Sequence, residues 1–324
     1  MSVNALVSVI IPVHNRPLLL REAVASVLAQ TYRPIEIIIV DDGSTDETLE
    51  ISQKLALDNQ EVKVFSQKNQ GPGAAREHGR LQAEGQYVQY LDSDDVLLPT
   101  KFEKQISTFR ENPSSGICYA KQARRAINFA YLGEIHFTDS DAINFTGEKV
   151  ETIFPRILHG PIWGTSVALW RKEACDQVGA WLPLINEEDM EYDARAGAQH
   201  ISVAYVPEFL AIQRTHDDHL SSGGTTDPRK LIDILAARKK ILQHALSSGL
   251  TVTSPDLQHY AKSAFLLARM FAAQGMKTEM LKAMELSEKA SGKAGYKLVC
   301  YRQICRLLGL KVTQKLFSMF EQFR

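Results

Sequence analysis

The sequence predicts an α/β protein, a mainly parallel sheet flanked by helices, with an α-helical C-terminal extension. Three observations lead there. From residue 7 to about 120, short β-branched runs alternate with stretches of helical spacing, the pattern of βαβ units. Two of those runs, 35–40 and 87–91, stop abruptly in carboxylates, as strands do where a parallel sheet opens onto a crevice. Past residue 227 strand-like runs cease and helical periodicity takes over.

Taken in order, 7–11 is a buried strand, and 17–30 places Leu19, Leu20, Ala23 and Val27 at helical spacing. The near-continuous apolar run 35–40 reads as a strand buried on both faces. It ends in Asp41 and Asp42, with Ser44 and Thr45 placed to cap a helix from about Asp46. A third strand at 62–65 leads to a glycine-punctuated loop at 69–73 and a helix to about Ala83. The fourth, 87–91, runs into Asp92, Asp94 and Asp95. Residues 116–140, with Tyr119, Phe129, Tyr131 and Phe137, predict short antiparallel strands. The block 160–215 carries the acidic stretch 186–193 and strand-like runs at 201–206 and 210–213, and completes the same domain. The polar, glycine-rich 216–227 reads as a loop or linker, which divides the chain into a domain at 1–222 and a helical extension at 223–324. In the extension Leu231, Ile234, Leu235, Ile241 and Leu242 mark one helix, and 260–274 with 278–290 form a pair split at Gly275.

The length of 324 residues suits one large domain and an appendage. With 44% hydrophobic and 23% charged residues the chain is an ordinary globular protein, and a net charge of -1 argues against a nucleic-acid partner. The 4 cysteines, Cys118, Cys175, Cys300 and Cys305, have neither metal-finger spacing nor the density of a disulfide framework, so reduced thiols are expected. The N-terminus lacks the basic start and cleavage site of a signal peptide, and no run approaches the roughly 20 apolar residues of a membrane span. A cytoplasmic protein, at most peripheral on the cytoplasmic membrane face, is the expectation.

Carboxylates at the ends of two strands could hold a divalent cation that in turn binds phosphates. Mg²⁺ and Mn²⁺ take hard oxygen ligands, and magnesium commonly uses one or two carboxylates with water and phosphate in its other positions. Asp92 and Asp94 suit that role, although acidic turns at strand ends are also common without a metal.

Five segments then carry a resemblance. VSVIIPVHNR at 7–16, IIIVDDGSTDET at 37–48, NQGPGAAR at 69–76, GQYVQYLDSDDVLLP at 85–99 and EDMEYDAR at 188–195 resemble the family 2 glycosyltransferases of the GT-A fold, in family order and at family spacing. The resemblance implies an inverting, metal-dependent transferase of the hexosyltransferase type. It would move a sugar from a nucleotide-diphosphate sugar, a UDP-sugar by the acids at Asp41 and Asp42, to an acceptor hydroxyl in polysaccharide or glycoconjugate biosynthesis. Pro12, Val13 and Asn15 match the loop that lines the nucleoside pocket, and Asp41 and Asp42 the pair of which one accepts from the base. Arg76 matches the arginine of the glycine loop, though Glu77 stands where asparagine is usual. Asp92, Ser93 and Asp94 match the DXD motif, with Asp94 the direct ligand of Mn²⁺ or Mg²⁺, Asp92 facing ribose or sugar, and Asp95 behind them. Asp189, beside Glu188, aligns with the catalytic base. His216, on the loop after Arg214, is a further candidate for the metal or the diphosphate. Leu182 and Pro183 replace an aspartate common in the family, which leaves the acceptor side less defined.

Trp163, Thr165, Ser166 and Trp181 are candidates for an acceptor pocket, since sugars stack their apolar faces on aromatic rings; Trp170 reads as core. The acceptor is expected to be a saccharide or a lipid-linked sugar. From Lys277 onward 10 basic residues stand against 4 acidic, a local charge of +6 interleaved with leucine and phenylalanine. Such an end suits contact with an anionic membrane surface, packing on the first domain, or pairing with a second copy. Two other functions compete. A catalytically silent nucleotide-sugar-binding module would lack the acids that this chain keeps, and a sugar nucleotidyltransferase would carry glycines and basic residues where this chain has PVHNR.

Overall fold

A computed structural model describes residues 4–126, 137–138, 141–143, 147–215, 227–293 and 296–309. Among them eight strands join in one sheet: β1 (Val7–Val13), β2 (Ile35–Asp42), β3 (Val62–Gln67), β4 (Tyr87–Tyr90), β5 (Val96–Leu97), β6 (Ser115–Ala126), β7 (Leu169–Arg171) and β8 (Ser202–Thr215). Their spatial order is β3-β2-β1-β4-β7-β6-β8-β5. Pairing is parallel through β3, β2, β1 and β4 and between β6 and β8, whereas β7 and β5 run against their neighbours. The sheet is thus mainly parallel, as predicted.

Helices α1 (Pro17–Leu28), α2 (Thr48–Asp58), α3 (Pro72–Gln82), α4 (Lys101–Glu111), α5 (Lys172–Val178) and α6 (Glu188–Ala198) flank it. All eight residues of β2 are buried, which is why isoleucine and valine fill both of its faces. Proline opens α1 and α3, where its fixed φ suits a helix start and its missing N–H costs nothing.

The extension is four helices, α7 (Pro228–Ser247), α8 (Pro255–Ala273), α9 (Lys277–Ser291) and α10 (Tyr296–Leu308). Asp227 and Ser254 cap α7 and α8 by accepting from Arg229 N at 2.9 Å and Leu257 N at 3.2 Å. Leu231, Leu235 and Ile241 of α7 and Leu257, Leu267 and Phe271 of α8 belong to the same buried cluster as the sheet. The boundary expected at residue 222 lies outside the described residues. No helix among the described residues is long and apolar enough to cross a membrane.

Three expectations are corrected. Ser44 and Thr45 do not cap α2, which starts at Thr48 behind Asp46; both bond to Asn15 instead. Residues 115–126 form one long strand instead of several short ones; it is antiparallel to β7, as expected, but parallel to β8, whose paired residues lie 86–89 positions later, where local alternation carries no signal. Phe129 and Tyr131 are outside the described residues. The runs 201–206 and 210–213 are a single strand, β8, in which Val206 pairs Ala120 and Phe209 pairs Lys121. Pro207 and Glu208 bulge out of register there, a place that tolerates a residue without an N–H.

Gly73 lies in the first turn of α3 against the backbone of residues 182–184, and a Cβ there would sit 2.0 Å from the Leu182 carbonyl oxygen. Gly73→Ala is expected to destabilise the fold by about 1–3 kcal/mol, the usual scale of overpacking. A melting temperature equal to wild type would show that this segment yields freely.

Candidate active site

Beyond the carboxyl ends of β1, β2 and β4 opens a cleft of about 670 Å³. Two loops at its rim are tied together by Asn15, which adopts φ 52°, a left-handed conformation that asparagine tolerates better than most residues. Its Oδ1 accepts from Thr45 N at 2.8 Å and its own N–H donates to Ser44 Oγ at 3.0 Å, while Arg16 N donates to Thr48 Oγ1 at 2.9 Å. Pro12, Val13, His14 and Arg16 line the cleft; Asn15 does not. Of the aspartate pair, Asp42 lines it and Asp41 is buried behind, where Ser66 Oγ donates to its carboxylate at 3.3 Å. Asp42 fixes the glycine loop, accepting from Gln70 N at 2.9 Å, Gly71 N at 2.8 Å and Gln67 Nε2 at 2.8 Å.

The acidic turn after β4 is closed by Asp95 N donating to Asp92 O at 3.0 Å, and Asp92 N donates to Ser166 Oγ at 3.2 Å. Asp92, Ser93, Asp94 and Asp95 all line the cleft. Asp92 is held by Arg76 of α3 at 2.7 Å, and Asp94 is ion-paired with Arg16. Asp95 accepts from Arg214 N at 3.2 Å and Gln122 Nε2 at 3.4 Å, tying the turn to β8 and β6. Arg214 is itself buried, bonded to the Asp94 carbonyl and ion-paired with Glu22.

Opposite the turn, α6 begins at Glu188. The two acids expected here differ in their surroundings. Glu188 is buried and bonded to the other arm of Arg76 at 2.7 Å. Asp189 is half-buried, lines the cleft, accepts from Met190 N at 2.7 Å and Thr165 Oγ1 at 3.4 Å, and has no ion pair among the described residues. One guanidinium therefore bridges the acidic turn after β4 and the helix that carries Asp189. Its support is Trp181, whose ring lies 4.9 Å beneath the Arg76 guanidinium and stacks on Tyr192 at 4.0 Å. Trp181 and Ser166 are buried away from the cleft, so neither offers an acceptor surface; Thr165 lines the cleft, as does Trp163 although it is largely buried. Trp170 is core. Glu77 ion-pairs with Arg80 at 2.8 Å and accepts from Trp181 N at 3.1 Å.

Carboxyl groups crowd the cleft and the interior behind it. Burial pushes the Asp92, Asp95 and Asp193 carboxyls above the usual range, and neighbouring carboxylates add to each: Asp94 for Asp92 and Asp95, Asp189 for Asp193. Glu188 is pushed up to about 7 by burial despite Arg76 beside it. Such a surplus of hard oxygen ligands fits a divalent cation. Among the described residues no three His, Cys, Asp or Glu side chains enclose one, yet a site of one or two carboxylates completed by phosphate and water requires no enclosure. His216 lies outside the described residues.

The sequence reading did not anticipate Arg16, although it sits inside the first motif, nor Asp227, Arg229 and Lys230, which bring α7 to the cleft wall. A cation on the first turn of a surface helix resembles any solvated residue, and only the fold brings it to the site.

The family model described as glycosyl transferase family 2 matches residues 8–174. The chain belongs to this family. Similar proteins include a Campylobacter jejuni GalNAc(5)-diNAcBac-PP-undecaprenol beta-1,3-glucosyltransferase, 36% identical over 182 residues that cover 50% of this chain and 58% of that protein. A Rickettsia conorii glycosyltransferase is 33% identical over 230 residues, 69% of this chain and 35% of its own length. The chain spans 43% of a Haemophilus influenzae relative and 35% of the Rickettsia protein, less than half of each. Among solved structures, S. aureus TarS in complex with UDP-GlcNAc superposes with TM-score 0.72 at 20% identity, covering 98% of this chain and 92% of that one. The mannosyltransferase PcManGT of Pyrobaculum calidifontis, in complex with GDP-Man and Mn2+, gives 0.57 at 13% identity, with 99% and 85% covered. At such identities the likeness establishes the GT-A fold.

Arg76→Met would strand Asp92 and Glu188 without their cation and raise both carboxyls further in the folded state. A carboxyl raised above its unfolded value contributes stability at low pH and loses it as pH rises. The variant is therefore expected to lose about 3–5 kcal/mol near pH 8 and distinctly less near pH 5.5, measured by urea denaturation at both pH values. A deficit independent of pH would mean that the arginine acts through packing alone.

Proposed function

We propose that the chain is an inverting glycosyltransferase that uses a UDP-sugar and whose general base is Asp189. The observation that carries this reading is the contrast within the acidic pair: Arg76 neutralises Glu188, while Asp189 faces the cleft without a cationic partner among the described residues. An acceptor hydroxyl is a weak nucleophile at neutral pH and gains from a carboxylate that takes its proton. As the acceptor oxygen bonds to the anomeric carbon, that proton passes to Asp189. The bond from carbon to the diphosphate oxygen breaks on the opposite face, and the nucleoside diphosphate leaves with the electron pair. Attack from behind the leaving group inverts the anomeric centre.

Asp94 and Asp92 would hold Mn²⁺ or Mg²⁺, which when bound neutralises charge on the departing diphosphate. Pro12, Val13 and Asp42 would receive the nucleoside. A carboxylate offers about four lone-pair directions, and on Asp42 two are taken by the glycine loop and a third by Gln67 at the end of β3, leaving one for a ring N–H such as that of uracil. The UDP-GlcNAc of TarS supports the choice of base. The acceptor named for the Campylobacter relative supports a saccharide on a polyprenyl diphosphate. Such an acceptor would bring the protein to a membrane face, for which its basic, apolar C-terminal end is suited.

Titration calorimetry of UDP with and without Mn²⁺, repeated on Asp94→Ala, tests the donor site: binding should need the metal and weaken at least tenfold in the variant. Metal-independent binding that Asp94→Ala leaves unchanged would remove the metal from the reading. Asp189→Asn should keep UDP affinity within twofold of wild type and lower the rate of UDP release from a UDP-sugar by about 10²–10⁴, the range of general-base catalysis. A full rate in that variant would assign the base elsewhere.

A further inference from the structure

The turn that delivers Asp189 is gripped from the helical extension. Glu187 immediately precedes the acidic pair and sits at φ 58°, a left-handed conformation unfavourable for a residue with a Cβ. Both of its carboxylate oxygens are taken by Arg238 of α7, with Nη2 to Oε1 at 2.8 Å and Nε to Oε2 at 3.0 Å. This forked pair fixes direction as well as distance. Arg238 is braced from behind, donating from Nη1 to Ser263 Oγ at 2.9 Å, while its carbonyl accepts from Tyr260 on α8 at 2.7 Å. Two more residues of α7 hold the same segment on either side. Asp233 accepts from Ile185 N at 2.9 Å, and His244 meets Glu191, whose side chain is 2% exposed, at 3.0 Å.

We propose that α7 is a positioning element for the reaction: Arg238, with Asp233 and His244, fixes residues 185–191 so that Asp189 stands over the cleft at the point of attack. The inference rests on the reading of Asp189 as base. Three contacts from one helix onto one short segment define both the place and the direction of α6. A misplacement of about an ångström at a reacting group is enough to cost two orders of magnitude in rate. The donor contacts proposed above, Pro12, Val13, Asp42, Asp92 and Asp94, are bonded, among the described residues, to none of Asp233, Arg238 and His244. Loss of the grip should therefore act on turnover and spare donor binding.

The test uses the full chain and follows UDP release from whichever UDP-hexose the wild type hydrolyses fastest, with Mn²⁺ present and water as acceptor. Arg238→Ala is expected to lower kcat at least tenfold with the donor KM and the UDP Kd within twofold of wild type, and added guanidinium should restore part of kcat where equal sodium chloride does not. Glu187→Gly removes the carboxylate but accepts the left-handed backbone, so it should fold and show the same loss of kcat. Wild-type kcat in either variant overturns the proposal. So does a parallel loss of kcat and UDP affinity without guanidinium rescue, which marks α7 as general packing. Asp189→Asn separates the two readings. If it releases UDP as fast as wild type, the assignment of the base has failed; if it is inactive while Arg238→Ala and Glu187→Gly are not, only the positioning role has failed.

Discussion

The site depends on one buried guanidinium. Arg76 lies 4% exposed between the acidic turn after β4 and the start of α6, and bonds to a carboxylate on each. Burial drives the carboxyls of both Asp92 and Glu188 toward protonation, and Arg76 is the cation that opposes it on each. The Trp181 ring lies against the guanidinium and is itself backed by the stacked ring of Tyr192. Geometry and charge are thus set by the same side chain, and of the two acids that line the cleft at the start of α6, Asp189 is the one outside its reach.

Around this centre the molecule spends its polar contacts on loops. Asn15 ties the loop after β1 to that after β2, Asp42 ties β2 to the glycine loop, and Asp95 ties the acidic turn to β8 and β6. Each tie joins segments distant in sequence at the same edge of the sheet. A parallel sheet leaves its connections at that edge free to vary while the strands below stay packed. The ties turn a set of separate loops into one connected rim.

Much of this was legible in the sequence where the signal is local. Apolar runs that stop at Asp41 and Asp92 announce strand ends, and the acids that follow announce the cleft. Contacts between distant residues were not legible. Arg16 and Asp94 are 78 residues apart, and nothing in either motif says that they meet. Trp181 reads as a platform for a sugar because tryptophan often is one, yet its ring is covered by Arg76 on one side and Tyr192 on the other. The pairing of β6 with β8 was missed because strand alternation reveals which face is buried but never which partner is beside it. On α7, Asp233, Arg238 and His244 look like the solvated face of an amphipathic helix until Ile185, Glu187 and Glu191 are seen across from them.

The shared core between the sheet and the extension has a consequence for how such a protein can change over time. Where an accessory module is joined by a bare tether, recombination can replace it without touching the chemistry. Here α7 contributes Asp227, Arg229 and Lys230 to the cleft wall and buries Leu231, Leu235 and Ile241 in the common core. A crossover that exchanged everything after the last strand would unseat the acids of α6 along with the helices. Inheritance should therefore keep α7 with the sheet as one block, leaving the more distal helices as the part that lineages can trade.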